Sequence, residues 1–179
     1  MNFFCFHRDR AGSAALRDEL REEHWSYMDG FADQLIARGP TFDADGSVTG
    51  SVHIVRVADP AEARAFAFDE PYYQAGVFRD VLLRRWENLL GRTMWQFPNP
   101  QPDAHRYLVL GLAGQRVGQP SDPTSVIACG PLLSDDRSRS LGAAALVQLR
   151  TPQEASTVLT GSAGVAHEVR RWDFGGRPE

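Results

Sequence analysis

The chain has no lysine: its 19 basic residues are all arginine. That absence excludes Schiff-base chemistry on a lysine and a phosphate-binding P-loop lysine. Cysteine is scarce too. Cys5 and Cys129 are the only two, too few for a disulfide framework and without metal-ligand spacing, so both read as reduced core residues. No apolar run approaches the length of a membrane span. The first residues, Met1 to Arg8, place apolar side chains before charges, the reverse of a secretory leader. The chain therefore reads as cytoplasmic. A net charge of −4 and the lack of a basic stripe with interleaved aromatics exclude nucleic acid as the expected partner. What is present is a hydrophobic fraction of 42%, enough for a real core in 179 residues.

The chain contains an internal repeat. Ile36-Ala37-Arg38-Gly39-Pro40 returns as Ile127-Ala128-Cys129-Gly130-Pro131. Asp59-Pro60-Ala61-Glu62-Ala63 returns as Thr151-Pro152-Gln153-Glu154-Ala155. Ala75-Gly76-Val77 matches Ala163-Gly164-Val165, and Arg84-Arg85-Trp86 matches Arg170-Arg171-Trp172. Four anchors in one order predict one fold unit made twice. The expected organisation is a first unit over residues 1–95, a Pro-rich linker over 96–105, a degenerate second unit over 106–174 and a tail over 175–179.

Within the first unit, Asn2 to Arg8 reads as a strand. Ser13 caps a predicted long helix to about Arg38, with Leu16, Leu20, Tyr27, Met28, Phe31, Leu35 and Ile36 at helical spacing. Gly39-Pro40 stops that helix or closes a short strand after it. Ser51 to Val57 alternates as a strand. Asp59, followed by Pro60 and Glu62, caps a helix ending near Phe68, because the residue before Pro71 is pushed out of helical geometry. Val77 to Trp86 fits a strand or a helix. Arg106 to Ala113 repeats the role of the first strand, and Thr151 to Glu154 has the form of a capping box. Each copy thus reads as an α+β layer, β-(α)-β-β-α-β, with helices on one face of an antiparallel sheet.

Residues 1–95 resemble the YCII-related proteins of the dimeric α+β barrel superfamily. The resemblance rests on His24 in the first helix, Gly39-Pro40 after it, Gly50-Ser51 opening a strand, and Asp69-Glu70-Pro71-Tyr72 followed by Gly76-Val77. It implies ferredoxin-like units whose sheets pair face to face, and a site made of a His and an acid. The His falls on His24. The family's acid stands directly before the proline as an aspartate; here that place is Glu70, with Asp69 one earlier, so either carboxylate is a candidate.

The second copy has neither partner. Only Gly114 to Ser125 separates its first strand from its Gly-Pro, too short and too broken for the helix that bears His24. The interval from Pro152 to Ala163 is shorter than that from Pro60 to Ala75 and omits the acid-Pro-Tyr segment. The second copy then serves as the sheet that a second subunit would supply, a pseudo-dimer within one chain; a homodimer through the first copy is the alternative.

His24 lies on the apolar register of its helix. A neighbouring carboxylate would hold its tautomer and let it shuttle a proton near neutral pH. Glu70 and Asp69 are the catalytic candidates beside it. Arg8, Ser51, His53 and Tyr72 are the candidates for substrate contact: Arg8 for an anionic group, Ser51 and His53 on one strand face, Tyr72 as a pocket wall. Neither metal-ligand spacing nor a dinucleotide fingerprint appears; Gly111, Gly114 and Gly118 are wrongly spaced. The expected function is cofactor-free, metal-free acid/base chemistry (elimination, isomerisation or hydrolysis) on a small cyclic or aromatic molecule. The alternative is a non-catalytic ligand-binding module, in which His24 is a buried structural residue.

Overall fold

The computed structural model describes residues 1–98, 101–112, 120, 122–159 and 167–177. The anchor Ala163-Gly164-Val165 and the glycines Gly114 and Gly118 lie outside them. The strands are β1 (Asn2–Asp9), β2 (Leu35–Phe42), β3 (Val48–Arg56), β4 (Phe78–Trp86), β5 (His105–Leu112), β6 (Val126–Leu133), β7 (Ser140–Leu149) and β8 (His167–Trp172). They close into one antiparallel barrel in the order β1-β3-β2-β8-β5-β7-β6-β4. Each half has the same internal order, 4-1-3-2 for β1–β4 and 8-5-7-6 for β5–β8. The two like halves thus close one α+β barrel within a single chain.

Alternation along each strand sends one set of side chains inward and the other outward. Every strand contributes to the interior: Phe4 and Phe6 from β1, Ile54 from β3, Trp86 from β4, Leu108 from β5, Trp172 from β8 and their neighbours form one apolar cluster. Two further layers cover the outside. Phe3, Cys5 and Val55 pack under Met28, Ala63 and Phe66 on the first half, and Val109, Val147 and Cys129 pack under Ala155 and Leu159 on the second. Both cysteines are free and buried, as expected of core thiols.

Two seams join the halves, and two of the four sequence repeats, Gly-Pro and Arg-Arg-Trp, lie on them. At one, Thr41 pairs with Trp172; at the other, Trp86 pairs with Leu132. Asp173 donates its N–H to the Pro40 carbonyl as Glu87 does to that of Pro131. Gly175 donates to Arg38 as Leu89 does to Cys129. A Cβ on Gly39 would stand 1.8 Å from the Asp173 carbonyl oxygen, and one on Gly130 would stand 1.7 Å from that of Glu87. No side chain fits at either place, so the Gly-Pro anchors recur because each lets the backbone of the other half approach. Met94, in a single 3-10 turn at Met94–Gln96, joins the barrel core, with Phe97 packed against it. The predicted linker region thus begins beside a residue that closes the interior.

The helices are α1 (Ala14–Glu19), α2 (Arg21–Asp29), α3 (Pro60–Phe68), α4 (Pro71–Gln74) and α5 (Pro152–Ser156). The expected single helix to Arg38 is corrected. It breaks at Leu20 and ends at Gly30, and Leu35–Phe42 is strand. The periodic pattern holds through Met28, but Leu35, Ile36 and Ala37 are buried in succession because they enter the sheet, where both faces are covered. Gly39-Pro40 lies inside β2 rather than ending a helix. The ambiguous Val77 to Trp86 is strand β4.

The starts of α3 and α5 match in mechanism. Asp59 accepts from Ala61 and Glu62 N–H, and Thr151 Oγ1 accepts from Glu154 N–H. The reciprocal bond differs from a capping box by one position: Glu62 and Glu154 accept from the residue before the cap, Ala58 and Arg150.

Candidate active site

The site lies between the outer face of the first half and its helices. Strand alternation puts Cys5 and His7 of β1, with Ser51 and His53 of β3, on that face; His7 stands opposite Ser51 and Cys5 opposite His53. Helix α2 brings His24 down onto them. Glu70 arrives from the break between α3 and α4, where Pro71 holds it extended at φ −67°, ψ 134°.

Those placements make a buried pair. His24 Nδ1 and Glu70 Oε1 are 2.5 Å apart. Glu70 is fully buried and its second oxygen accepts the Tyr73 N–H at 2.8 Å, so it caps α4 while it holds the imidazole. Burial pushes the Glu70 carboxyl up, but the His24 hydrogen bond and charge, His7 and the Tyr73 amide outweigh it and hold it below the usual value. An ionised Glu70 accepts from Nδ1–H, which fixes the tautomer and leaves Nε2 as the nitrogen able to exchange a proton. Asp69 is exposed at the end of α3, and the ion pair of His24 is made with Glu70. The carboxylate directly before the proline is the partner.

Tyr72 stacks flat on His24, with ring centroids 4.2 Å apart at 10°. The Arg17 guanidinium sits 4.7 Å from the Tyr72 ring centroid, and the Tyr72 hydroxyl donates to the Arg17 carbonyl at 2.9 Å. Arg17 in turn donates to Asp9 at 3.0 Å and to Ser51 Oγ at 2.5 Å. Ser51 is thereby committed to Arg17. Asp9 is pushed up to about 6 by burial, which outweighs the opposing charge of Arg17.

Two more histidines lie beneath. His7 donates from Nε2 to the Ala67 carbonyl at 2.9 Å, and burial lowers it to about 4. His53 stands 5.9 Å from His24 and 5.7 Å from His7 between ring centroids. Burial, and then the charges of His7 and His24, hold it well below the usual imidazole range. Both are therefore neutral at pH 7. The same burial, with the charge of Glu70, raises the Cys5 thiol and keeps it un-ionised.

A cleft of about 250 Å³ opens beside this layer. Of the site candidates singled out in the sequence, His24, Ser51, His53 and Tyr72 line it; Arg17 and Arg38, which were not among them, line it too. Arg8 does not. It shares the inward register of Phe6 and is tied to Asp80 at 2.8 Å and Glu168 at 3.2 Å, so the expectation that it meets the same ligand is corrected. Among the described residues, no group of three or more His, Cys, Asp or Glu is placed to hold a metal ion. No helix among them is long and apolar enough to cross a membrane.

The sequence model of the YCII-related domain matches residues 1–87. The first half of this chain is a YCII-related domain. Its matched region holds both members of the His24–Glu70 pair and all four strands of the first half. Two solved structures are similar to the chain. One is a 5-chloro-2-hydroxyhydroquinone dehydrochlorinase from Burkholderia phenoliruptrix AC1100, in complex with 2,5-dihydroxybenzoquinone. It is 28% identical, with a TM-score of 0.47, and the match covers 49% of this chain and 94% of that one. The other, described as a "putative monooxygenase" from Lactobacillus acidophilus NCFM, is 10% identical with a TM-score of 0.45, over 96% of this chain and 93% of that one. No curated protein matches the chain.

Proposed function

We propose that this protein is an acid/base enzyme acting on a small molecule in the cleft beside its YCII-related domain. His24 is the group that takes and returns the proton through Nε2. Glu70 holds Nδ1–H and stabilises the imidazolium that forms. The observation that carries this reading is the 2.5 Å contact between His24 and a fully buried Glu70, on the wall of an open cleft. A buried carboxylate costs several kcal/mol to desolvate unless it is paired. Here it is paired with the one nitrogen that leaves the other free to act. Proton abstraction leading to elimination or isomerisation needs no more than this, and hydrolysis needs a water in the same place.

In this reading residues 1–95 carry the pair, 96–105 link, and 106–174 complete the barrel. The stack of Arg17, Tyr72 and His24 supports the site by fixing the imidazole plane. Tyr72 is then a positioning residue, since its ring is covered by His24 and Arg17.

The test is a substrate screen with the full-length protein, followed by His24→Gln and Glu70→Gln on whatever turnover is found. His24→Gln should lower kcat by roughly 100-fold or more, the usual contribution of a positioned acid or base. Glu70→Gln keeps the shape but not the charge, and should lower kcat with little change in KM. Turnover that survives His24→Gln would remove the histidine from the mechanism.

A further inference from the structure

The two seams share their hydrogen bonds, yet the residues that follow them differ. After β4 come Leu89 and Leu90, which pack on the outer apolar layer of the second half. After β8 the equivalent places are Gly175 and Gly176. The equivalence is set by the bonds from Leu89 to Cys129 and from Gly175 to Arg38. Where the second half is filled by leucine side chains, the first half keeps open space, and Phe174, Gly175 and Gly176 line it.

This wall is fastened in place. Arg177 donates to Glu22 and Asp29 at 2.7 Å each and to Ser26 at 3.0 Å, with its guanidinium 5.6 Å from the Trp25 ring centroid. Phe174 is held from behind by the Arg106 guanidinium, 4.1 Å from its centroid, and yet remains 37% exposed. With Trp25, Met28 and Val48 it gives the cleft an apolar side.

The wall beside it is polar and incompletely satisfied, with the Arg38 guanidinium next to Gly176. Arg38 and His53 face each other across β2 and β3 and both line the cleft. His53 is 2% exposed, and its Nδ1 has no hydrogen-bond partner among the described residues; neither has Arg38 Nε. Buried donors left unpaired are costly, and a guanidinium is always charged. Arg17 is committed to Asp9 and Ser51, and Arg21 to Asp18; Arg38 is held more loosely, by a single 3.4 Å contact from Nη1 to Asp29 that leaves Nε unpaired. Asp18 is the one carboxylate among the described residues lining the cleft, and Arg21 already neutralises it.

We propose that the cleft binds a small organic acid as its anion, with the carboxylate toward Arg38 and His53 and an apolar body against Phe174. The second repeat is then part of the binding site as well as its scaffold. This rests on the acid/base reading for the choice of cleft, but not for any catalytic step.

Titration of the full-length protein with benzoate, benzamide and acetate, read by the imidazole NMR signals of His24 and His53, tests it. Benzoate should bind saturably, with the neutral amide and the small anion each weaker by about tenfold or more, as expected for loss of a charge-assisted bond or of apolar contact. Arg38→Gln should weaken benzoate by about tenfold for the same reason. Phe174→Ala, at an exposed position outside the barrel core, should weaken benzoate about fivefold and leave acetate unchanged. Benzamide binding as well as benzoate, or unchanged benzoate affinity in Phe174→Ala, would overturn the proposal. If benzoate binds as described while His24→Gln retains turnover, the acid/base reading fails and this inference stands. If His24→Gln abolishes turnover but no benzoate shift appears at tens of millimolar, roughly the weakest affinity worth assigning to a site, the reverse holds.

Discussion

His7, His53 and Asp9 make the site's surroundings sensitive to pH in opposing directions. The folded state holds both histidines neutral, with His7 at about 4 and His53 well below its ordinary value. A group whose folded pKa is depressed adds stability above its unfolded pKa and loses it as pH falls through the folded value. For His7 that window runs from about 6.5 down to about 4, and the full loss is about 3 kcal/mol. Asp9 acts the other way. Raised to about 6, it favours the folded state at low pH and opposes it as pH rises through that value. Two histidines against one carboxylate leave the unfolded chain binding more protons between pH 4 and 6. Stability measured by urea unfolding should therefore rise with pH across that interval, and His7→Asn should flatten the rise. A stability that falls from pH 4 to 6 would contradict the neutral histidines.

At the level of elements, the helix starts at Asp59 and Thr151 are the clearest local signals in the chain. Each has a side-chain acceptor at the cap, Pro at the next position and a Glu three residues after the cap that reaches back to the amide before it. Asp59→Ala and Thr151→Ala should each cost about 1 kcal/mol in chemical denaturation. Removing Asp59 should do more harm, since its carboxylate serves two amides and the Thr151 hydroxyl one. The α2–β2 region behaved differently. Leu35 and Ile36 continue the helical spacing of Met28 and Phe31, and local pattern alone carries the helix through them. Sheet pairing with β3 takes them instead, because strand β2 supplies half of one seam.

For the whole molecule, the barrel interior is a single apolar layer fed by all eight strands. A chain ending near Pro98 would leave the inward faces of Phe4, Phe6, Ile54 and Trp86 without their facing sheet. Such a fragment should sediment as a dimer or larger species, and a well-folded monomer would show that the first half does not need a covering sheet. Gly130→Ala tests the seam within the intact chain. Its Cβ would stand 1.7 Å from a carbonyl oxygen of the other half, so the seam must open and thermal stability should fall markedly. The matching substitution at Gly39 should do the same and also disturb the wall of the cleft, through Asp173 and Gly175.

Sequence alone determined the duplication, the α+β class and the capped helices, because these depend on residue type at short range or on a pattern repeated in order; the candidates His24 and Glu70 came from the resemblance of the first half to the YCII-related proteins. It left Asp69 and Glu70 undecided, since both sit beside the same proline; only the fold turned one carboxylate inward. It placed Arg8 near the ligand, because reading a strand end does not reveal which face of a closed barrel a side chain meets. Arg38 and the Phe174–Gly176 wall were beyond its reach for a related reason. They join the site through a seam between residues far apart in the chain, and strand pairing across that seam exists only once the barrel closes. Aligning Gly175-Gly176 with Leu89-Leu90 was the one available signal, and its meaning as open space against filled core follows from packing, which tertiary structure alone decides.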